Sequence, residues 1–198
     1  MNTVVNVLIA GVGGQGTVLA SKLIAAAAIA AGLDARTAET IGMAQRGGPV
    51  TSHVRMGREI HSPLIPPGTA GLIIAFEPSE AVRVFPYLAP GGTLAVCRAP
   101  VKTAASPRYE VSQMLSYLER NAPALIAADR AELVADGHVK ALNIAMLGMA
   151  AETGLLPFGA DVLERALRAR IPKKHLEMNL SAFAAGRAFV RNLSFDKE

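Results

Sequence analysis

The sequence predicts an α/β fold in which strands and helices alternate around a mostly parallel sheet. An apolar run at 4–10 leads into the glycine-rich turn Gly11–Gly16, and an alanine-rich segment follows at 17–31. The order of strand, glycine turn and helix is typical of the first unit of a Rossmann-like domain. Three further apolar runs alternate with helical patterns, at 70–76, 93–97 and 124–128. We therefore expect a doubly wound sheet, with a helical C-terminal part after residue 139.

The composition indicates one domain that spans residues 1–198. The chain is 51% hydrophobic and 18% charged, enough for one sizeable core. Its one cysteine, Cys97, excludes an intramolecular disulfide and argues against a cysteine-bound iron–sulfur or zinc site. No basic and apolar leader precedes the first strand, and Ser21 and Lys22 interrupt the apolar segment at 17–31. We expect no signal peptide, no membrane span and a cytoplasmic location.

The net charge of +4 is concentrated in the C-terminal part. Seven basic residues lie within 160–192, against three acidic ones: Arg165, Arg168, Arg170, Lys173, Lys174, Arg187 and Arg191, with Asp161, Glu164 and Glu177. Because aromatic residues and nucleic-acid motifs do not accompany them, solvated helix faces are favoured over an anionic partner, and no nucleic acid is expected.

The glycine turn is the first candidate binding element. Gly11, Gly13 and Gly16 fit the G-x-G-x-x-G pattern, and Gly14, Gln15 and Thr17 complete the segment. In that pattern the glycines permit the tight turn, a close approach of a ligand to the backbone, and tight packing of helix on strand. The N-terminus of the following helix offers free N–H groups to an anion. Glu39, about twenty positions further on, is a candidate for binding the ribose of NAD or simply a solvent-facing acid.

The first helix and second strand follow from spacing. Leu19 and Leu23 fall on one stripe with alanines, which predicts a face packed on the sheet. Gly32 is placed to end the helix. The segment Leu33–Glu39 is predicted as a strand parallel to the first, since a helical crossover joins the two.

A second glycine-flanked loop carries Gln45 and Arg46, followed by Gly47 and Gly48. After it, 50–56 alternates, with Ser52 on one side of a strand and His53 on the other. Two interpretations remain open. The polar face meets a ligand or partner, or the strand lies at a charge-protected edge and returns through a short strand at 59–62.

The second half continues the alternation. The run 70–76 predicts a central strand, with Glu77 at its C-terminal edge, where ligands collect in open α/β sheets, and with Ser79 as a cap of a helix to residue 87. The predicted turn Pro90–Gly92 precedes a strand at 93–97. In the apolar helix 139–153, Asn143 is the exception, so we expect its amide to bind a loop backbone or a ligand. Further helices are predicted at 112–121, 161–170 and 173–193.

Two motifs together resemble the gamma subunit of 2-oxoacid:ferredoxin oxidoreductases, with the closest likeness to the beta subunit of indolepyruvate:ferredoxin oxidoreductase. They are Gly11–Gly16 and Gly42–Gly48, the latter followed by Ser52-His53-Val54-Arg55. Later segments also match family positions: Phe76-Glu77-Pro78, Leu142-Asn143, Leu147-Gly148 and Glu177-Met178-Asn179. The resemblance covers nearly the whole chain and implies a single gamma-type domain with a Rossmann-like, three-layer α/β fold.

The resemblance implies a subunit that is not active alone. The family's enzymes oxidatively decarboxylate a 2-oxoacid with coenzyme A to an acyl-CoA and carbon dioxide. Two electrons pass to ferredoxin through thiamine diphosphate and iron–sulfur clusters, which partner subunits are expected to carry. Ferredoxin is expected to be only an indirect partner of this chain. An aryl pyruvate such as indolepyruvate is the expected substrate. The glycine turn and the Gln45-Arg46 loop are expected to bind a ligand or the partner. Exposed apolar or alanine-rich surface on the isolated subunit would allow it to form a homodimer.

Two other classes of function remain open at this point. A stand-alone NAD-dependent oxidoreductase requires an acid–base pair, for which the second half offers only His138 and His175. A non-catalytic nucleotide-binding regulatory module requires only the glycine turn.

Overall fold

A computed structural model of the chain describes residues 4–42, 47–101, 110–134 and 139–195, with side chains up to residue 193. Six strands form one sheet in the order β2-β3-β1-β4-β5-β6. Their bounds are β1 Val5–Val12, β2 Asp34–Ile41, β3 Pro49–Gly57, β4 Ala70–Ala75, β5 Leu88–Cys97 and β6 Ala124–Ala128. β1, β4, β5 and β6 pair in parallel, whereas β3 is antiparallel to both of its neighbours. The predicted mostly parallel sheet is confirmed.

Among the described residues, seven α-helices cover the two faces of the sheet: α1 Thr17–Ala30, α2 Pro78–Val84, α3 Val111–Asn121, α4 Arg130–Leu133, α5 Leu142–Glu152, α6 Ala160–Arg170 and α7 Lys173–Phe195. Helices α1, α4, α5, α6 and α7 pack on one face, where alternate strand residues such as Ile9 and Ile74 meet them. Helices α2 and α3 pack on the other, against Leu8 and Ile73. The side-chain period of two along each strand thus supplies two separate cores, and the three-layer domain is confirmed.

Strand β2 differs from the prediction. It runs in the same direction as β1, but β3 lies between the two and β2 is at the edge of the sheet. A hairpin joins β2 to β3, and β3 pairs with β1 in the position that a second parallel strand would take. A standard dinucleotide-binding unit, in which the second strand adjoins the first, is therefore not built here.

Strand β3 is interior, so its interpretation as a protected edge was wrong. Its alternation was predicted correctly, since Val54 and Met56 enter the core beneath α1 and His53 faces the opposite side. Residues 59–62 form no strand. Instead, this segment and its continuation cross the polar face of the sheet, where Arg55 Nη1 donates to Ser62 O at 2.9 Å. The chain itself covers the polar face of β3.

Three smaller predictions were also corrected. Helix α2 is capped by Glu77, whose carboxylate accepts from the N–H of Glu80 at 3.0 Å, while the Ser79 hydroxyl donates to the same carboxylate. The predicted turn Pro90–Gly92 lies inside β5, where the register with β4 shifts. The buried stripe of α1 includes Leu23 but leaves Leu19 exposed. Gly32, at φ 80°, does end α1, and the Leu33 N–H closes the turn on Ala28 O.

The predicted C-terminal helices are confirmed, and two glycines set how closely α5 and α7 pack. A Cβ at Gly186 would lie 1.8 Å from Ala145 O, and one at Gly148 would lie 2.1 Å from Phe183 O. Each glycine therefore meets the backbone of the other helix. Helix α5 is buried nearly all round as a result, as its composition predicts.

Candidate functional site

The glycine turn lies where β1 ends, and the second glycine-flanked segment is attached to it. Gly13 N–H donates to Gly48 O at 2.9 Å, and Gly42 N–H donates to Pro49 O at 2.8 Å. Gly13 and Gly14 are exposed, and Gly14 and Gly47 adopt positive φ angles of 97° and 73°. The two segments predicted to act together thus share one surface at the C-terminal edge of the parallel strands. Gln45 and Arg46 lie outside the described residues.

Gln15 holds the turn in place. Its Oε1 accepts from Val12 N–H at 2.8 Å, and its Nε2 donates to Phe76 O at 3.3 Å. One side chain thereby joins the ends of β1 and β4, which are adjacent strands. These bonds satisfy both ends of its amide within the chain, so Gln15 shapes the site.

The remaining glycines of the motif are required by close packing. A Cβ at Gly11 would lie 2.7 Å from Gln15 Oε1 and 3.0 Å from the buried Thr17 side chain. Gly16, with φ 82°, precedes α1, and a Cβ there would lie 2.3 Å from Asn143 Nδ2. The first and third glycines therefore serve the packing of the turn, while Gly13 and Gly14 provide its exposed backbone.

Asn143 binds a loop backbone, one of the two roles predicted for it. Its Nδ2 donates to Gly16 O at 3.4 Å across 127 positions of sequence, and its Oδ1 accepts from Ile144 N–H at 3.0 Å. Helix α5 is thus connected to the glycine turn through a buried amide. The first turn of α1 has no side-chain cap and no acidic residue, so its N–H groups are left for an anion or a partner.

A cavity of about 150 Å³ opens beside the turn, beyond the strand ends. Gly14, Gln15 and Phe76 form one side, and Val101, Arg130, Val139, Lys140 and Leu142 form the rest. Arg130 Nε is buried without a hydrogen-bond partner among the described residues, and no described carboxylate pairs with Lys140. The charged side chains that line this cavity, Arg130 and Lys140, are therefore both basic. Sequence patterns do not single out Arg130 or Lys140, although Arg130 follows the end of β6, where ligands collect in open α/β sheets.

Glu77 lies at the predicted strand end but is buried and engaged. Besides capping α2, its carboxylate accepts from Val101 N–H at 3.5 Å. It joins the ends of β4 and β5 from beneath the surface. The main role of Glu77 is therefore to fix the backbone that forms the wall of the strand-end cavity.

Ser52 and His53 are not brought to this surface. They pair with Ile9 and Leu8 in the middle of the sheet, and both are buried. His53 Nδ1 accepts from Ile65 N–H at 3.2 Å, and its ring meets Tyr87 edge-on at 5.7 Å. Burial lowers the pKa of His53 from its usual 6.5, which keeps the imidazole neutral and able to accept that bond.

Glu39 stands apart from the glycine turn as well. It lies on the edge strand β2, is exposed, and accepts from the Ser21 hydroxyl at 3.3 Å. Because Glu39 has this location and β2 is separated from β1, the chain does not form the standard ribose site that the NAD interpretation requires.

Large apolar side chains are exposed at the same edge of the sheet. Ile41 is the last residue of β2 and is 65% exposed, Val139 lines the strand-end cavity and is 50% exposed, and Leu19 lies in the first turn of α1 and is 42% exposed. They surround the glycine turn. Clustered exposed apolar groups are a feature of surfaces that another protein covers.

Metal-ligating side chains are not clustered among the described residues. They contain no group of three or more His, Cys, Asp or Glu side chains that would hold a metal ion. Cys97 is buried at the end of β5, and burial raises the pKa of its thiol. These residues do not fit an iron–sulfur cluster. In the described part of the chain, no helix combines the length and hydropathy needed to cross a bilayer.

Comparisons with known proteins bear on this geometry. The family described as "Pyruvate ferredoxin/flavodoxin oxidoreductase" matches residues 6–189. Indolepyruvate oxidoreductase subunit IorB of Archaeoglobus fulgidus is 39% identical over 188 residues, which cover 91% of this chain and 92% of that one. The corresponding subunit of Methanothermobacter thermautotrophicus is 34% identical over 187 residues, covering 91% of this chain and 95% of that one.

Solved structures agree in fold. The gamma subunit of a keto/oxoacid ferredoxin oxidoreductase from Geobacter sulfurreducens superposes with a TM-score of 0.70 at 23% identity, covering 95% of this chain and 99% of that one. A 2-oxoglutarate:ferredoxin oxidoreductase from Magnetococcus marinus gives 0.70 at 21% identity, covering 97% of this chain and 32% of that one. The resemblance seen in the sequence motifs is confirmed. The chain belongs to the pyruvate ferredoxin/flavodoxin oxidoreductase family and has the fold of its gamma-type subunits.

Proposed function

We propose that this chain is an accessory subunit that completes the active-site region of a cofactor-bearing partner in a 2-oxoacid:ferredoxin oxidoreductase. The complex oxidatively decarboxylates a 2-oxoacid with coenzyme A, releasing carbon dioxide and an acyl-CoA and delivering two electrons to ferredoxin. This chain supplies binding surface, and the partner supplies thiamine diphosphate and iron–sulfur clusters.

The observation that carries the proposal is the joined pair of glycine segments at the strand ends. The backbone hydrogen bond between Gly13 and Gly48 joins the two segments into one surface. The exposed apolar side chains of Leu19, Ile41 and Val139 surround that surface. A site that performed chemistry alone would place acid–base or metal ligands at this edge. Among the described residues there, Gln15, Glu77 and Asn143 are engaged in holding the backbone.

The ligand of the glycine turn is the finer part of the proposal. The uncapped N-terminus of α1 and the cavity with Arg130 and Lys140 favour a phosphate or carboxylate, such as those of coenzyme A or the 2-oxoacid. The Magnetococcus enzyme was solved with 2-oxoglutarate, coenzyme A and succinyl-CoA bound, which supports coenzyme A as a ligand to test. Binding and interface roles are compatible, since a ligand held at this edge would sit between the two subunits.

The substrate is proposed from the relatives. Those at 39% and 34% identity are named for indolepyruvate, so we propose an aryl pyruvate as the 2-oxoacid. The specificity wall is assigned mainly to the partner, because the cavity beside the glycine turn is small, about 150 Å³, and Phe76 is the one aromatic side chain of its described lining.

Co-purification tests the proposal. The chain is tagged in its native host, and the material recovered is analysed for iron, acid-labile sulfide, thiamine diphosphate and 2-oxoacid-dependent ferredoxin reduction. We expect a second, cofactor-containing subunit in fixed ratio. Recovery of the chain alone, with no such subunit, would overturn the accessory role.

Substitution of Arg46 by Ala tests the loop. We expect lower complex activity, either through a weaker apparent affinity for coenzyme A or through weaker assembly, and Arg58→Ala on the exposed segment after β3 serves as the matched control. Full retention of assembly, coenzyme A affinity and turnover by Arg46→Ala would dismiss both the binding and the interface role of the loop.

A further inference from the structure

The strand-end cavity, the opening of about 150 Å³ beside the glycine turn, has a buried guanidinium nitrogen in its wall. Arg130 is the first residue of α4, shortly after the end of β6, and it is partly buried. Its Nε atom is buried and has no hydrogen-bond partner among the described residues. A buried N–H of a charged group that lacks an acceptor costs free energy, which a bound carboxylate recovers. Arg130 therefore places an unmet donor in this wall.

The acidic residues nearest to Arg130 in the sequence are engaged elsewhere. Glu132 Oε2 accepts from Asp129 N–H at 2.6 Å, across the first turn of α4. Asp129 Oδ2 lies 3.8 Å from Arg98 Nη1, which follows the end of the neighbouring strand β5. The ion pairs formed between described residues do not include Arg130. The part of the chain that the structure describes thus leaves this guanidinium without a counter-ion.

Lys140 is the other basic residue of the lining. It lies in the short turn Val139–Ala141 before α5 and is exposed. None of the described lining residues is acidic. Arg130 therefore supplies the buried contact of the cavity, and Lys140 supplies an accessible amine in the same lining.

The size and the surroundings of the cavity favour a protein side chain over a free ligand. Its volume of about 150 Å³ is below the roughly 300–1,000 Å³ of pockets that enclose a drug-sized ligand. Val139 of the lining is 50% exposed, and Leu19 and Ile41 are exposed at the same edge of the sheet. In protein interfaces, a desolvated arginine contact surrounded by groups that exclude water contributes much of the binding energy.

We propose that the strand-end cavity receives one acidic side chain of the cofactor-bearing subunit. Its carboxylate accepts from Arg130 Nε and pairs with Lys140, and its methylene groups lie against Val139. This inference rests on the proposed accessory role and specifies the chemistry of the partner at one point of the shared surface. It leaves the exposed backbone of Gly13 and Gly14, rather than this cavity, to coenzyme A.

Zero-length cross-linking tests the contact directly. The purified complex is treated with a water-soluble carbodiimide, which joins a carboxylate to an amine where the two are in contact, and the linked peptides are identified by mass spectrometry. We expect a pair of peptides that contains Lys140 and one Asp or Glu of the cofactor-bearing subunit. Lys140→Arg keeps the positive charge but removes the amine, so the complex should assemble and this product should disappear.

Assembly measurements assign the contact to Arg130. Arg130→Gln is expected to weaken binding of the cofactor-bearing subunit about tenfold, measured by titration of labelled chain, because a buried charged contact is lost. Arg165→Gln removes the same charge from an exposed pair with Asp161, and its binding is expected to stay within about twofold of the wild type.

Two further readouts distinguish this role from a structural one. The isolated Arg130→Gln chain should be no less stable in urea than the wild type, because Nε has no hydrogen bond to lose among the described residues. Once the complex is assembled with excess partner, Arg130→Gln should keep the wild-type apparent KM for coenzyme A.

The outcomes separate this inference from the proposed function. Unchanged assembly of Arg130→Gln, or a complex without a cross-link at Lys140, overturns the inference and leaves the accessory role intact. A raised KM for coenzyme A with unchanged assembly assigns the cavity to coenzyme A and also overturns it. Recovery of the chain without any cofactor-bearing subunit overturns both. Weaker assembly with an unchanged KM, together with the Lys140 cross-link, supports the inference.

Discussion

The buried amide of Asn143 lies against the backbone of Gly16, with Nδ2 at 3.4 Å from Gly16 O and too close to admit a Cβ on that glycine. This contact joins the C-terminal helical layer to the glycine turn. It also explains why the third glycine of the motif is needed without reference to a nucleotide. The contact lies directly before the first turn of α1, beside the exposed edge of the glycine turn.

Gly16→Ala is therefore expected to destabilise the protein by about 2–4 kcal/mol, the sum of a left-handed backbone penalty and overpacking against Asn143. Urea denaturation measures the change. Gly14→Ala is the control, since Gly14 has φ 97° with nothing within 4 Å of a built Cβ, and should show only the backbone penalty. The double variant Gly16→Ala with Asn143→Ala should recover part of the loss. Equal losses for the two single variants would contradict the packing role of Asn143.

The contact of α5 with α7 gives a second prediction. Gly186→Ala and Gly148→Ala each place a methyl group on a backbone carbonyl of the other helix, which cannot rotate away, so the helices must separate. We expect a loss of about 3 kcal/mol or more for each, despite the gain of about 1 kcal/mol in helix propensity. Thermal and urea unfolding provide the measurement. Gly91→Ala, with open space around it, is expected to stay within about 0.5 kcal/mol of the wild type.

Periodicity and glycine placement predicted most of the strands and helices, because these follow from local apolar patterns, whereas the strand predicted at 59–62 is absent and α4 was not predicted. Strand order was less accessible. The sequence of 33–41 predicts a strand but does not indicate whether that strand adjoins β1 or is separated from it. The hairpin to β3 decides this, because every residue from Asp34 to Ile41 pairs with β3. Local patterns therefore indicate a strand at this position without fixing its neighbour in the sheet.

The candidate site was predicted in part for a similar reason. The glycine turn and Gly47-Gly48 were found because their residue types are unusual, and Asn143 because an amide stands out in an apolar helix. Arg130 and Lys140 were missed, since single basic residues at helix ends are common on any surface. His53 was selected for its chemistry, yet its pairing with Leu8 places it mid-strand, under the segment that contains Ile65.

The neutral state of His53 predicts a dependence of stability on pH. Its folded pKa is lowered by burial, and a protonated imidazole has no acceptor for the Ile65 N–H. The unfolded chain therefore binds the proton more readily. The stability contributed by neutral His53 is present above the unfolded pKa of about 6.5 and is lost as the pH falls below it, towards the lower folded value.

This is measured as the free energy of unfolding in urea across that range for the wild type and His53→Gln. The glutamine keeps an acceptor for Ile65 but does not titrate, so its stability should fall less between neutral pH and about one unit below the usual histidine pKa. An unchanged slope in His53→Gln would show that other groups account for the pH dependence.

Ile41 and Ile29 test which edge of the sheet meets the partner subunit. Both isoleucines are exposed, at 65% and 61%, but Ile41 ends β2 beside the glycine surface, whereas Ile29 lies near the end of α1 at the opposite edge. A glutamate at either position should leave the isolated fold intact because neither side chain enters the core. At an interface, however, a charge replaces an apolar contact and must be desolvated.

We expect Ile41→Glu to weaken assembly with the cofactor-bearing subunit about tenfold or more, measured by titration of labelled chain, while Ile29→Glu assembles normally. Weakened assembly in Ile29→Glu alone would place the partner on the opposite edge and separate the glycine surface from the interface.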